Sequence, residues 1–139
     1  MTDLVLDASV ALAWCFKNEA TAAADRVLER LAAEAASVPA IWHLEIANVL
    51  ALSERRRRIT PARSAEFIAL LETLVIVVDE ETPLRALGRV LDLARGEQLT
   101  AYDAAYLELA MRLGVPLVSK DGDLCDAAER LGVSVLRAA

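Results

Sequence analysis

Leu4-Val5-Leu6-Asp7-Ala8-Ser9 opens the chain with three apolar residues, a carboxylate, and a segment that stays apolar to Phe16. The triplet reads as a buried strand. Residues 8–16, with Ser9 the only polar side chain, read as a buried helix. A strand hidden on both faces and followed by a helix is the unit from which parallel sheets are built. Asp7 therefore falls at a strand's carboxyl end, the place where open α/β sheets bind ligands. It equally fits the N-cap of the following helix.

The same alternation continues outward from this stretch. Residues 20–36 predict a surface helix with Ala24, Val27, Leu28 and Leu31 as its inner stripe. A brief strand or extended turn at 37–40 leads into a helix over 41–57. Thr60-Pro61 is a cap followed by proline at the first helical position, opening a helix to about residue 74. Strand 75–78 follows. Thr82-Pro83 repeats the cap signal for a helix ending at Gly96, and Thr100 starts another that Gly114 ends. Strand 117–118, helix 122–131 closed by Gly132, and strand 133–136 complete the chain. No linker, repeat or low-complexity segment interrupts the pattern. The expectation is one domain over 1–139, of α/β class, with a mainly parallel central sheet covered by helices on both faces and right-handed crossovers.

Composition narrows the chemistry. The chain has 139 residues, 56 % of them hydrophobic, enough for one dry core. No apolar run approaches the roughly 20 residues of a membrane span, and a start of Met1-Thr2-Asp3 without a cationic region argues against a secretory signal. Cys15 and Cys125 form no metal or disulfide spacing and read as reduced thiols of a cytoplasmic protein. His43 is the single histidine and no Gly-x-Ser-x-Gly elbow is present, which argues against zinc ligation and against a serine hydrolase. Any hydrolytic chemistry must then rest on carboxylates. Net charge is −6, so any grip on nucleic acid requires a local basic patch or a bound cation.

Most acids fit solvated faces; Glu108 and Arg112, for instance, are expected as an exposed i,i+4 pair. Four do not. Besides Asp7, Glu45 interrupts an apolar stretch from Ala40 to Leu52 in which only His43 and Asn48 are otherwise polar. Ile41, Leu44, Glu45, Asn48 and Leu52 form the stripe expected to face the core, where a carboxylate is costly unless a cation or donors meet it. Asp103 shares a core-facing stripe with Tyr106, Leu107 and Ala110, although Thr100-Ala101-Tyr102-Asp103 also fits a capping box. Asp121 follows a strand, and also fits a plain Asp-Gly turn. Gathered at one sheet edge, these acids would repel one another unless a cation compensated. An oxygen-only set suits magnesium or manganese.

Leu4-Val5-Leu6-Asp7-Ala8-Ser9, His43-Leu44-Glu45-Ile46-Ala47-Asn48, Leu99-Thr100-Ala101-Tyr102-Asp103-Ala104-Ala105-Tyr106 and Ser119-Lys120-Asp121 occur in that order. Together they resemble the motifs of PIN-domain proteins, the VapC toxin type in particular, over essentially the whole chain. The resemblance implies a PIN-like three-layer α/β/α sandwich and divalent-cation-dependent cleavage of RNA. It implies Asp7, Glu45, Asp103 and Asp121 as metal-binding and catalytic acids, with Mg2+ as the ion and Mn2+ as the alternative. Ser9, Asn48 and Ser119 stand as supporting donors, and Asp123 can share or replace the role of Asp121. A VapB-type antitoxin and a homodimer are the implied partners.

The expected chemistry is metal-assisted phosphodiester hydrolysis, Glu45 being either a ligand or the group that orients the attacking water. Arg55-Arg56-Arg57-Arg58 offers phosphate contacts, but a solvated helix end is the favoured reading. Trp14, Trp42, Tyr102 and Tyr106 are expected in the core or an interface. Two other functions compete. A phospho-acceptor or phosphatase would carry a second acid beside Asp7, where Ala8 and Ser9 stand instead. A non-catalytic module of the same fold would have no need of four acids.

Overall fold

The computed structural model describes residues 1–139. Five short strands, β1 (Leu4–Leu6), β2 (Ala36–Pro39), β3 (Ile76–Asp79), β4 (Leu117–Ser119) and β5 (Val135–Arg137), form one sheet in the order β3-β2-β1-β4-β5. Every pairing is parallel, with Leu4 beside Ala36 and Leu6 beside Val118 in the centre. Successive strand side chains point to opposite faces, yet Leu4, Val5 and Leu6 expose nothing. Helices therefore cover both faces, giving the three-layer α/β/α sandwich.

The chain steps outward from β1 to β2 and β3, then returns to the other side of β1 as β4. The order thus reverses between β1 and β4, the switch point at which such sheets leave a crevice beyond the strands' carboxyl ends. Asp7 follows one and Asp121 the other.

Eight helices connect the strands: α1 (Ala8–Ala13), α2 (Ala22–Arg30), α3 (Ile41–Arg55), α4 (Pro61–Glu72), α5 (Thr82–Arg85), α6 (Leu91–Glu97), α7 (Ala101–Leu113) and α8 (Gly122–Arg130). Thr21, Thr60, Thr100 and Asp121 cap α2, α4, α7 and α8 through their side-chain oxygens. None of the helices is long and apolar enough to cross a membrane. Both cysteines are free and buried.

Several expectations are corrected. The helix expected over 20–36 stops at Arg30, because Ala36 belongs to β2. Thr82 does not cap: its hydroxyl donates to Asp79 Oδ2 at 2.9 Å, and Glu81 occupies the cap position. The segment from Thr82 is broken by a wide π turn, Ala86–Val90, before α6 begins. Gly96 lies inside α6, which ends where Gln98 takes the left-handed conformation at φ 56°.

On α3 the buried stripe is Trp42, Ile46 and Leu50, not the stripe through Leu44 and Asn48; Leu44 is 71 % exposed. Burying an indole removes more apolar surface than burying a leucine, so the helix rolls toward Trp42. Glu45 is left half-buried at the stripe's border, and Asn48 is exposed.

On α7, every residue from Ala104 to Ala110 is buried, so Glu108 and Arg112 are not an exposed pair. Glu108 retains only 2 % of its surface and meets Arg112 at 2.8 Å. Trp14, Trp42 and Tyr106 join the core, whereas Tyr102 is 64 % exposed.

Candidate active site

Asp7 takes the N-cap position of α1, yet its side chain makes no capping bond. It turns instead to two serines. Ser119 Oγ at the end of β4 donates to Asp7 Oδ2 at 2.6 Å, and Ser9 Oγ donates to the same oxygen at 2.8 Å. Each serine also accepts a backbone N–H from the loop after β4: Lys120 to Ser9 Oγ at 3.1 Å, and Asp121 to Ser119 Oγ at 3.0 Å. The two hydroxyls thus lock the first carboxylate to the loop that carries the fourth acid. Both hydroxyls donate to Oδ2, leaving Oδ1 without a side-chain hydroxyl on it. Asp7 is only 5 % exposed, and burial pushes its carboxyl above the ordinary range against the pull of those hydrogen bonds.

Glu45 reaches the same region from α3. Its carboxyl is raised by burial, and the charges of Asp7 and Asp103 raise it further, while a hydrogen bond from Tyr106 opposes the rise. The Tyr106 hydroxyl donates to Glu45 Oε1 at 2.6 Å. Burial and the adjacent carboxylate hold the phenol far above its usual pKa, so it remains a protonated donor.

Asp103 lies in the first turn of α7, its N–H donating to Thr100 Oγ1 at 3.1 Å. Burial, followed by the charges of Asp121 and Asp7, pushes its carboxyl up to about 6. Asp121 caps α8 by accepting the Leu124 N–H on Oδ1 at 3.0 Å, a helix-start role in place of the plain Asp-Gly turn expected as its alternative. Asp123 is exposed and contributes only a lesser repulsion to Asp103. Asn48 forms no side-chain hydrogen bond and stands apart from this network.

The four acids are thus near enough that Asp7, Glu45 and Asp103 each feel at least one other negative charge. They are not closed into a cage. No three His, Cys, Asp or Glu side chains lie close enough together to hold a metal ion. Hydroxyls and backbone amides already relieve part of their charge, a relief that the expectation of a cation as sole remedy overlooked. Neither lysine nor arginine forms an ion pair with any of the four; Lys120, the nearest along the chain, sends its ammonium to the Glu19 carbonyl at 2.7 Å.

The donor set fits a hard divalent cation, being all oxygen and carrying uncompensated negative charge. Softer ligands are absent: His43 is exposed with its ring against Trp42, and Cys125 is buried behind the site with its thiol pushed up by burial. Tyr106 is the residue that the sequence assigned to the core or an interface, with no part in the site. Its position one turn after Asp103, on the same stripe, was the available signal.

The sequence matches the PIN domain over residues 4–130. No curated protein matches the chain. The crystal structure of PAE2754 from Pyrobaculum aerophilum is similar with a TM-score of 0.71 and 23 % sequence identity, covering 97 % of this chain and 91 % of that one. At that identity the likeness is one of fold.

Proposed function

The chain belongs to the PIN-domain family, and on that premise we propose that residues 1–139 form a single magnesium- or manganese-dependent endoribonuclease domain, the VapC-like toxin of a toxin–antitoxin pair acting in the cytoplasm. PIN domains are commonly nucleases and generally use divalent metal ions. The observation that carries the reading is the set of four carboxylates brought to one sheet edge with no cationic side chain to neutralise them.

Asp7, Glu45, Asp103 and Asp121 would hold the ion. When bound, it supplies polarisation of a phosphoryl oxygen and a water of lowered pKa. The chain's own residues supply orientation. Ser9 and Ser119 pin Asp7 Oδ2, which leaves Oδ1 free of side-chain hydroxyls. The cap on α8 fixes Asp121. Glu45 serves as a ligand or as the group that aligns the attacking water, and Asp123 is the substitute should Asp121 prove to be committed to its cap.

RNA as substrate, a VapB-type antitoxin and a homodimer come from the family likeness, and the acidic edge suits a partner that brings basic side chains to it. Purified protein incubated with labelled RNA, with magnesium or manganese and then with chelator, tests the reading. Metal-dependent cleavage supports it. Acyl-phosphate formation without cleavage would favour a phospho-acceptor, and inertness toward RNA with tight partner binding would favour a non-catalytic module.

A further inference from the structure

We propose that Tyr106 is a positioning residue that sets the direction of Glu45 at the acidic edge; this rests on the nuclease reading above. The case begins with how little else holds that side chain. Glu45 has three rotatable bonds and sits at the border of the buried stripe of α3, where its neighbours His43, Leu44, Ala47 and Asn48 are exposed. No arginine or lysine pairs with it. The phenol of Tyr106, 61 residues away along the chain, is the one side chain that hydrogen-bonds to it.

Tyr106 is suited to the task because it is rigid. It is fully buried among core residues, so its ring has one place to be. It stands three residues after Asp103 on α7, on the same helical face. One helix therefore provides an acid of the edge and, one turn later, the hydroxyl that anchors the acid on α3. Occupation of Oε1 at 2.6 Å leaves Oε2 as the oxygen without a protein partner. The spacing between Asp103 and Glu45 is thereby fixed by a packed aromatic strut rather than by a flexible chain.

A buried phenol needs an acceptor in any case, so a purely structural bond must be separated from a positioning one. Tyr106→Phe keeps the ring in its space and removes only the donor. Manganese binding, followed by the paramagnetic resonance signal of free Mn2+, is measured for wild type, Tyr106→Phe, Glu45→Gln and the double variant, alongside RNA cleavage and metal-free melting. Loss of a partner that orients a ligand typically costs about 10- to 100-fold in metal affinity. That loss is expected for Tyr106→Phe, with the double variant no weaker than Glu45→Gln alone, since both changes remove one arrangement. Manganese affinity and RNA cleavage both within about twofold of wild type in Tyr106→Phe overturn the proposal, whatever the melting temperature does; so does a double variant whose losses multiply, whereas loss of cleavage alone assigns the positioned Glu45 to the attacking water. Should the wild type neither bind Mn2+ nor cleave RNA, it is the nuclease reading that fails.

Discussion

Two regions of this protein collect carboxylates, and they settle the charge in opposite ways. Around Arg112, Asp79 and Glu108 each receive two hydrogen bonds from one guanidinium, Asp79 at 2.7 and 3.0 Å and Glu108 at 2.8 and 3.1 Å. Glu81 adds a third carboxylate to it at 3.2 Å. Arg112 holds the Asp79 carboxyl below its usual range. At the crevice between β1 and β4, Asp7, Glu45 and Asp103 are met only by hydroxyls and amides, and all three carboxyls are raised. Fixed guanidinium charge makes the first cluster a structural clasp between β3 and α7. Lack of it makes the second a place where an external cation is stabilising.

The largest test of this contrast removes the clasp. Arg112→Met is expected to destabilise the fold by about 3 kcal/mol, because Glu108 stays buried with only the longer Arg85 contact at 3.6 Å beside it. Urea denaturation measures it, and a loss below about 1 kcal/mol would mean that the cluster behaves like ordinary surface pairs.

At the crevice the corresponding changes strike activity instead. Asp7→Asn or Asp103→Asn is expected to lower metal-dependent RNA cleavage by more than about 100-fold, beyond the usual cost of an outer supporting residue, with the fold retained. Full cleavage by either variant would refute the assignment of these acids.

Stability should move the other way in the same variants. Asp103 has a carboxyl near 6 in the folded chain against 3.8 unfolded, so its charged form disfavours the fold. The strain is absent below pH 3.8 and grows as pH rises through 6. Metal-free Asp103→Asn should therefore be more stable than wild type at pH 7 by about 1 kcal/mol, a figure discounted because the group is only half-buried. The gain should vanish near pH 4. Asp79 has the reverse sign: its contribution is present above pH 3.8 and is lost as pH falls through its lowered value. Thermal melts across pH 3–8 with chelator present would show both trends, and a gain for Asp103→Asn that persists at pH 4 would contradict the electrostatic account.

The smallest effect concerns a third charged region. All four of Arg55, Arg56, Arg57 and Arg58 are exposed at the end of α3. Arg56→Ser with Arg58→Ser should leave melting and cleavage unchanged if the run is a solvated helix end. A salt dependence of RNA binding reduced by about one charge per substitution would move the run into the substrate surface.

Much of this was legible in the chain. Leu4-Val5-Leu6, bounded by a carboxylate, declared a doubly covered strand, and the threonine caps at 60 and 100 marked two helix starts. Thr82-Pro83 misled because the Thr82 hydroxyl found a better acceptor in Asp79, a residue whose proximity depends on how β3 ends. The α3 stripe misled because periodicity offers two adjacent apolar faces, and the larger buried area of Trp42 chooses between them. Glu108 misled because an i,i+4 ion pair has the same spacing whether it lies in water or beneath a neighbouring element.

Sequence alone determined the parallel α/β class and named the acids at strand ends, since local periodicity and strand termination are properties of a few neighbouring residues. Only the folded chain decided which acids acquire a counter-charge and which only a neutral donor. That depends on what residues 33 or 61 positions away bring within hydrogen-bond reach, as Arg112 does for Asp79 and Tyr106 for Glu45. Coulomb energy falls with distance in space and has no regard for distance along the chain.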